Sequence, residues 1–217
     1  MSPGTPADGR CRGLRVAPYT AAMGKRITFD HEQALDTAMR TFWKGGYSTT
    51  GVRDLMKAIG IGEGSFYNTL KSKKDLYLAA LQHYEDTVLQ PRFDALEAAA
   101  TAGQGIRALL TVGLDQLDAG QAASRLCMVA GMASEDVLED PMLAARARGG
   151  FETLRQAVQA RLQRGADSGQ LPPGYDVQAV AAVVATYVQG MWRTLLLDPD
   201  RARIERQNET LLAALGL

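Results

Sequence analysis

Apolar residues recur at helical spacing through nearly all of the chain after residue 30, and no stretch alternates as a strand requires. Leu35, Ala38, Met39 and Phe42 share one face, and Val52, Leu55, Met56 and Ile59 fall at i, i+3, i+4 and i+7. Ile106, Leu109, Leu110 and Leu117 repeat the pattern over residues 103–119, and Leu126, Val129 and Met132 carry it over 122–137. Capping residues mark the boundaries. Asp30 with Gln33 makes a capping box, Gly45-Gly46 and Gly60 are stops, and Thr50 caps the second helix. Ser72 with Asp75 opens a longer helix that Pro91 bounds. Asp140-Pro141 and Asp198-Pro199 each place proline after an N-cap, and Asp176 caps "VQAVAAVVATYVQGMWRTLLL". The chain is expected to be all-α, with about nine helices.

Bulk properties narrow the class. The 217 residues suffice for one large domain or two small ones, and the formal net charge is zero. A nucleic-acid surface would therefore need local segregation of charge. The two cysteines, Cys11 and Cys127, and the two histidines, His31 and His83, form no metal-ligand or disulfide pattern. No metal or cofactor is expected. No apolar run approaches the ~20 residues of a membrane span, and the first 23 residues lack a signal-peptide core. A soluble cytoplasmic protein without membrane contact follows. Residues 1–24, rich in Gly, Pro, Ala and Arg, are expected to form a disordered arm; Met23 is a candidate start, and Arg10, Arg12 and Arg15 belong to a solvated tail.

The segment "GIGEGSFYNTLKSKKDL", residues 60–76, poses the functional question. A phosphate-binding loop of an enzyme would need a strand before its glycines, and here an amphipathic helix precedes them. Two short helices joined by a tight glycine turn instead make a helix-turn-helix, whose second helix enters the major groove. That helix would bury Ile61, Phe66 and Leu70 and turn Gly62, Glu63, Gly64, Ser65, Tyr67 and Asn68 outward. Tyr67 can donate to a phosphate, and Lys71, Lys73 and Lys74 lie where a flanking strand would pass. Lys25 and Arg26, ahead of the first helix, complete the candidate DNA contacts.

These residues resemble the N-terminal domain of TetR-type transcriptional regulators. The match runs through Gly46-Tyr47, Thr50, Val52, Asp54-Leu55, Gly60-Ile61, Gly64-Ser65-Phe66-Tyr67, Lys73 and Leu76, within residues 26–85. The resemblance implies a three-helix DNA-binding unit over 25–72, a connecting helix over 73–90, and a ligand-binding and dimerisation domain over 91–217. It also implies that Thr50, Tyr67 and Lys73 hold phosphates while residues 62–68 lie near base edges. Gly62 stands where such proteins often carry a serine cap, and Leu70 where an aromatic is usual. Glu63 is unusual so near phosphate and would either splay away or accept from a cytosine amino group.

The second half carries no catalytic constellation. Glu135, Asp136, Glu139 and Asp140 straddle a helix end and an N-cap, as a solvated turn would. Met128, Met132, Phe151, Tyr187, Met191 and Trp192 are soft or aromatic residues on three expected helices, and together suit an adaptable apolar cavity. Cys127 fits a small buried hydrophobe. The helix over 176–197 is apolar on two sides: Val180, Val184, Tyr187 and Met191 on one, Ala182, Val183, Thr186 and Gly190 on the other. The second side, with the last helix around Ile204, Leu211 and Leu215, suits pairing with another copy. The expected function is a homodimeric repressor of double-stranded, palindromic operator DNA, released by a small apolar effector. A helical adaptor or a helical-bundle enzyme without DNA binding is the alternative.

Overall fold

The computed structural model describes residues 30–217. Lys25, Arg26 and the expected arm lie outside the described residues. Among the described residues there are eleven α-helical segments, two of them single turns, one π-helical insert and no strand. α1 (His31–Gly45), α2 (Val52–Ile59) and α3 (Glu63–Leu70) make an N-terminal trio. α4 (Lys73–Tyr84) runs through a π segment at Glu85–Leu89 into α5 (Gln90–Ala98). Then come α6 (Ala102–Asp118), the turns α7 (Met128–Gly131) and α8 (Glu135–Leu138), α9 (Pro141–Asp167), α10 (Val177–Leu197) and α11 (Arg201–Ala214).

The caps act where the chain must stop. Asp30 accepts from the amides of Glu32 and Gln33, Ser72 from that of Asp75, and Asp176 from that of Ala179. Gly60 closes α2 at φ 78°, a left-handed conformation that costs a glycine nothing. α1 packs on α2 and α4 around Phe42, whose ring meets Tyr77 edge-on at 4.9 Å. α5 and α6 pack together, α9 lies against α10 and α6, and α11 covers the other side of α6. One continuous core joins the trio to this bundle.

Five expectations are corrected. Pro91 does not end a helix: the amide of Gln90 reaches back to the Glu85 carbonyl across the π turn, which resets the ladder where proline lacks an N–H. Residues 122–137 do not form one helix, because the chain opens over 119–127 and again near Ser134; two single turns suffice to bury Val129 and Met132. Asp198 closes α10 by donating its amide to Thr194, so Asp200 becomes the cap of α11. Thr50 is buried and donates its hydroxyl to the Gly46 carbonyl at 2.6 Å, leaving Gly51 as N-cap of α2. Finally, α10 is 21 residues long with mean hydropathy 1.3, long and apolar enough by composition to cross a membrane. Thr186, Gln189 and Arg193 interrupt its apolar run in the sequence but do not lower the average enough. Ala181, Val184, Ala185, Val188, Met191 and Trp192 are buried in the bundle, as in a core helix.

The opposite side of α10 is bare. Ala182, Val183, Thr186, Gly190 and Leu197 are exposed, Leu197 by 88%. On α11, Ile204 and Leu212 turn into the bundle while Gln207, Thr210 and Ala214 face outward beside Leu211. Ile204 is thus a core residue of its own protomer and not part of an outer face.

Candidate nucleic-acid interface and internal cavity

α3 has eight residues, too few to be stable alone. Tertiary contacts hold it: Phe66 is fully buried, Leu70 is buried, and Ile61 packs partly against the same core. Because those anchors point inward, Glu63, Gly64, Ser65, Tyr67 and Asn68 are exposed on the other side, with Gly62 as the N-cap. Tyr67 is 52% exposed, a large value for an aromatic beside a wholly buried one. A Cβ at Gly62 or Gly64 would meet open space, so neither glycine is demanded by packing; they leave the leading edge of the helix low. Glu63 is exposed in the first turn, where its charge suits the amide end of the helix.

The lysines divide. Lys71 is exposed at the end of α3, with φ 63° in the tight step to α4. Lys73 lies 4.5 Å over the Tyr47 ring and 3.4 Å from the Ser48 carbonyl, and partial burial lowers its pKa. Lys74 is partly exposed and donates to Asp140 at 2.9 Å. Thr50 likewise has its hydroxyl committed within the protein, as described. Residues that the sequence reading missed stand nearby. Arg53 and Lys57 on α2 and Lys44 on α1 are exposed, and none has an ion pair among the described residues. Residues 40–74 hold seven Lys or Arg against two acidic residues, Asp54 and Glu63. The neutral chain is locally basic here, and a count by window exposes it.

Two acidic residues taken for a solvated turn instead dock the loop after α1 and the start of α4 onto the bundle. Asp140 accepts from the amides of Met142 and Leu143 and from Lys74, and the Lys74 bond holds its carboxyl below the ordinary range. Asp136 is held low by the hydroxyls of Ser134 and Ser48. A second link lies on α1: the Trp43 indole donates to the Leu126 carbonyl at 2.6 Å.

The next residue, Cys127, lines an internal cavity between α5, α6, α9 and α10 and accepts from the Tyr84 hydroxyl at 3.4 Å. Its wall includes Leu89, Phe93, Leu110, Leu154, Met191 and Trp192. Met191 and Trp192 are therefore at the cavity, whereas Met128, Met132, Phe151 and Tyr187 are not among its lining. Met128 and Met132 sit in the core at the α7 turn, and Tyr187 spends its hydroxyl on Asn208 of α11 at 2.7 Å. The free space is only ≈ 40 Å³, small beside usual small-molecule pockets.

Comparison with known proteins agrees with this geometry. Residues 34–80 match the family of bacterial regulatory proteins of the tetR type, and residues 105–216 match the C-terminal domain of BetI-type transcriptional repressors. The HTH-type transcriptional regulator YezE of Bacillus subtilis is 30% identical over 149 residues, 69% of this chain and 76% of its own. A cysteine mutant of the regulator CifR, solved with 26-bp operator DNA, superposes with a TM-score of 0.81 at 26% identity, over 88% of this chain and 99% of that one. The FadR regulator of Bacillus subtilis, solved with stearoyl-CoA, shares the fold alone, with a TM-score of 0.70 at 16% identity over 86% of this chain and 97% of its own. With a family model matched over residues 34–80, a second over 105–216, and a regulator 30% identical across 69% of the chain, the outward α3 has its context: the chain belongs to the TetR family of DNA-binding transcriptional regulators.

Proposed function

We propose that this regulator is a homodimeric repressor whose hold on its operator is released by a small molecule with an apolar body, taken up in the α5–α6–α9–α10 cavity. The carrying observation is the orientation of α3, anchored by Phe66 and Leu70 with Gly62, Glu63, Gly64, Ser65, Tyr67 and Asn68 facing outward, free to enter a major groove. In this proposal residues 25–72 form the DNA-binding unit, 73–90 the connector and 91–217 the regulatory domain. Glu63, Ser65 and Asn68 face base edges. Tyr67, Lys71 and Lys73 contact phosphates, joined by Lys44, Arg53 and Lys57; Lys25 and Arg26 extend the set on the N-terminal side. Two copies pair through the bare side of α10, with Val183 and Leu197, and the outer side of α11, a self-complementary four-helix contact.

Release follows from differential affinity. The ≈ 40 Å³ present is far below the several hundred Å³ of usual small-molecule pockets, so an effector of that size binds a conformer in which the cavity walls have moved apart. One wall is Cys127, adjacent to the Leu126 carbonyl that holds Trp43 of α1. Displacement there is carried into the DNA-binding unit, and a change in the spacing of the two recognition helices breaks their match to successive grooves. Titration of the purified protein against its own upstream intergenic duplex, at physiological salt, tests the DNA half. Binding at least ~10³-fold tighter than to random duplex is expected; equal binding to both would refute sequence-specific regulation.

A further inference from the structure

Arg92 is out of place on an apolar wall. It lines the cavity, yet it is only 5% exposed, and guanidinium groups keep their charge in proteins. Its Nε donates to Gln116 at 2.7 Å, and Gln116 is itself fixed by donating to the Val88 carbonyl at 3.0 Å. The guanidinium lies 4.7 Å from the Trp192 ring centroid. Gly113 lets the pair approach: a Cβ there would stand 2.8 Å from the indole and 3.3 Å from the guanidinium carbon. Among the described residues no carboxylate pairs with Arg92, whereas Arg107 and Arg146 each hold one and Arg201 holds three. Arg161, the other buried arginine, donates to the Ala99 carbonyl and is not part of this wall. Among the described residues only Nε–H of Arg92 has a protein acceptor, and its terminal nitrogens are not fully enclosed, so the N–H fork remains available. A nearly buried guanidinium whose charge is met by a ring face and one amide, and by no carboxylate, is costly to keep.

We infer that the effector is an amphiphilic monocarboxylate, its apolar body among Phe93, Leu110, Leu154, Met191 and Trp192 and its carboxylate on the terminal fork of Arg92. This inference rests on the cavity being the effector site and replaces a purely apolar ligand with a charged one. The charge count selects the head group. The lining holds no lysine, histidine or second arginine, so a single negative charge is neutralised and a phosphate dianion is left with an unpaired charge. A planar carboxylate also matches the fork in geometry. Gln189, the other amide-bearing or charged side chain of the lining, adds a donor. Arg92 lies just beyond the π segment, on the helix that runs back through α4 to Lys73. A ligand that pulls on this guanidinium pulls on the connector.

Matched pairs of probes test the inference: octanoate against 1-octanol and octyl phosphate, and 3-phenylpropanoate against 3-phenylpropanol. Affinity is followed by tryptophan fluorescence and by release of bound operator duplex. In the wild type each acid is expected to bind at least ~10-fold tighter than its alcohol, with octyl phosphate weaker than octanoate. Arg92→Met keeps the length of the side chain and removes the unpaired charge; it should bring the acid-to-alcohol ratio to about one while the alcohols still bind. Arg92→Gln serves the same comparison should the Met variant fail to fold, and Arg92→Lys should keep part of the preference. A ratio is insensitive to a general loss of stability, which a purely structural Arg92 would cause. Alcohols that bind and release DNA as well as the acids, or a ratio unmoved by Arg92→Met, would overturn the anionic head group and leave the cavity proposal standing. If no probe of either series changes fluorescence or operator affinity, both proposals fall.

Discussion

Replacing Phe66 by alanine should unseat the recognition helix and little else. The ring is fully buried, and a Phe→Ala change at such a site costs about 3–5 kcal/mol. That loss falls on an eight-residue helix that otherwise relies on Leu70 and part of Ile61. At about 1.4 kcal/mol per tenfold, the equilibrium constant for docking α3 drops by two orders of magnitude or more, and operator affinity should fall once the undocked helix predominates. Fluorescence anisotropy with a labelled operator duplex measures the affinity, and hydrogen exchange reports whether α3 amides lose protection while those of α9 and α10 keep it. Tyr67→Ala is the paired control. Its side chain is half exposed, so α3 should stay protected while affinity still falls. A Phe66→Ala protein that binds operator as tightly as wild type, with α3 still protected, would refute the anchoring argument.

Three further outcomes follow from the contacts. Trp43→Phe removes the indole donor to the Leu126 carbonyl in a largely buried place, and urea denaturation should show a loss of about 1–3 kcal/mol. Lys71→Ala and Lys73→Ala should each lower the slope of log affinity against log salt by about one, whatever the duplex sequence. Asp136 and Asp140 have pKa values lowered on folding, by the Ser134 and Ser48 hydroxyls and by Lys74 respectively. Their contribution is complete above the ordinary carboxylate value near ~4 and is lost as pH falls through the lower folded values. Melting temperature should therefore decline below about pH 4, less steeply in Asp140→Asn than in wild type.

Much of the fold was legible in the chain because its signals are local. Asp30, Ser72, Asp140 and Asp176 cap the helices they were expected to cap, and Gly46 and Gly60 end theirs. The period of Val52, Leu55, Met56 and Ile59 with the turn after it located the helix-turn-helix. The errors arose where a local rule met a longer-range demand. Pro91 reads as a stop, but a π turn supplies the bonding pattern that lets the helix pass. Asp198-Pro199 reads as a cap, but the Asp198 amide was needed to finish α10. Lys74 reads as a neighbour of a flanking strand and Asp140 as part of a solvated turn, and the fold sets them 2.9 Å apart across 66 positions of sequence. Arg92 was invisible for the same reason: its burial, its stacking on Trp192 and the missing carboxylate are properties of the packed bundle, and no spacing announces them. Cavity lining is similarly non-local, which is why the soft and aromatic residues reached this cavity in Met191 and Trp192 of α10 but gave no sign of α5.

The central claim is that two outward α3 helices read duplex DNA together. Selection of bound sequences from a random duplex pool, followed by hydroxyl-radical footprinting of the enriched site, tests it most directly. An inverted repeat should emerge, protected on one side of the duplex at half-site centres one helical turn, or a multiple of it, apart. An enriched set without two-fold symmetry, or no enrichment over the starting pool, would contradict it.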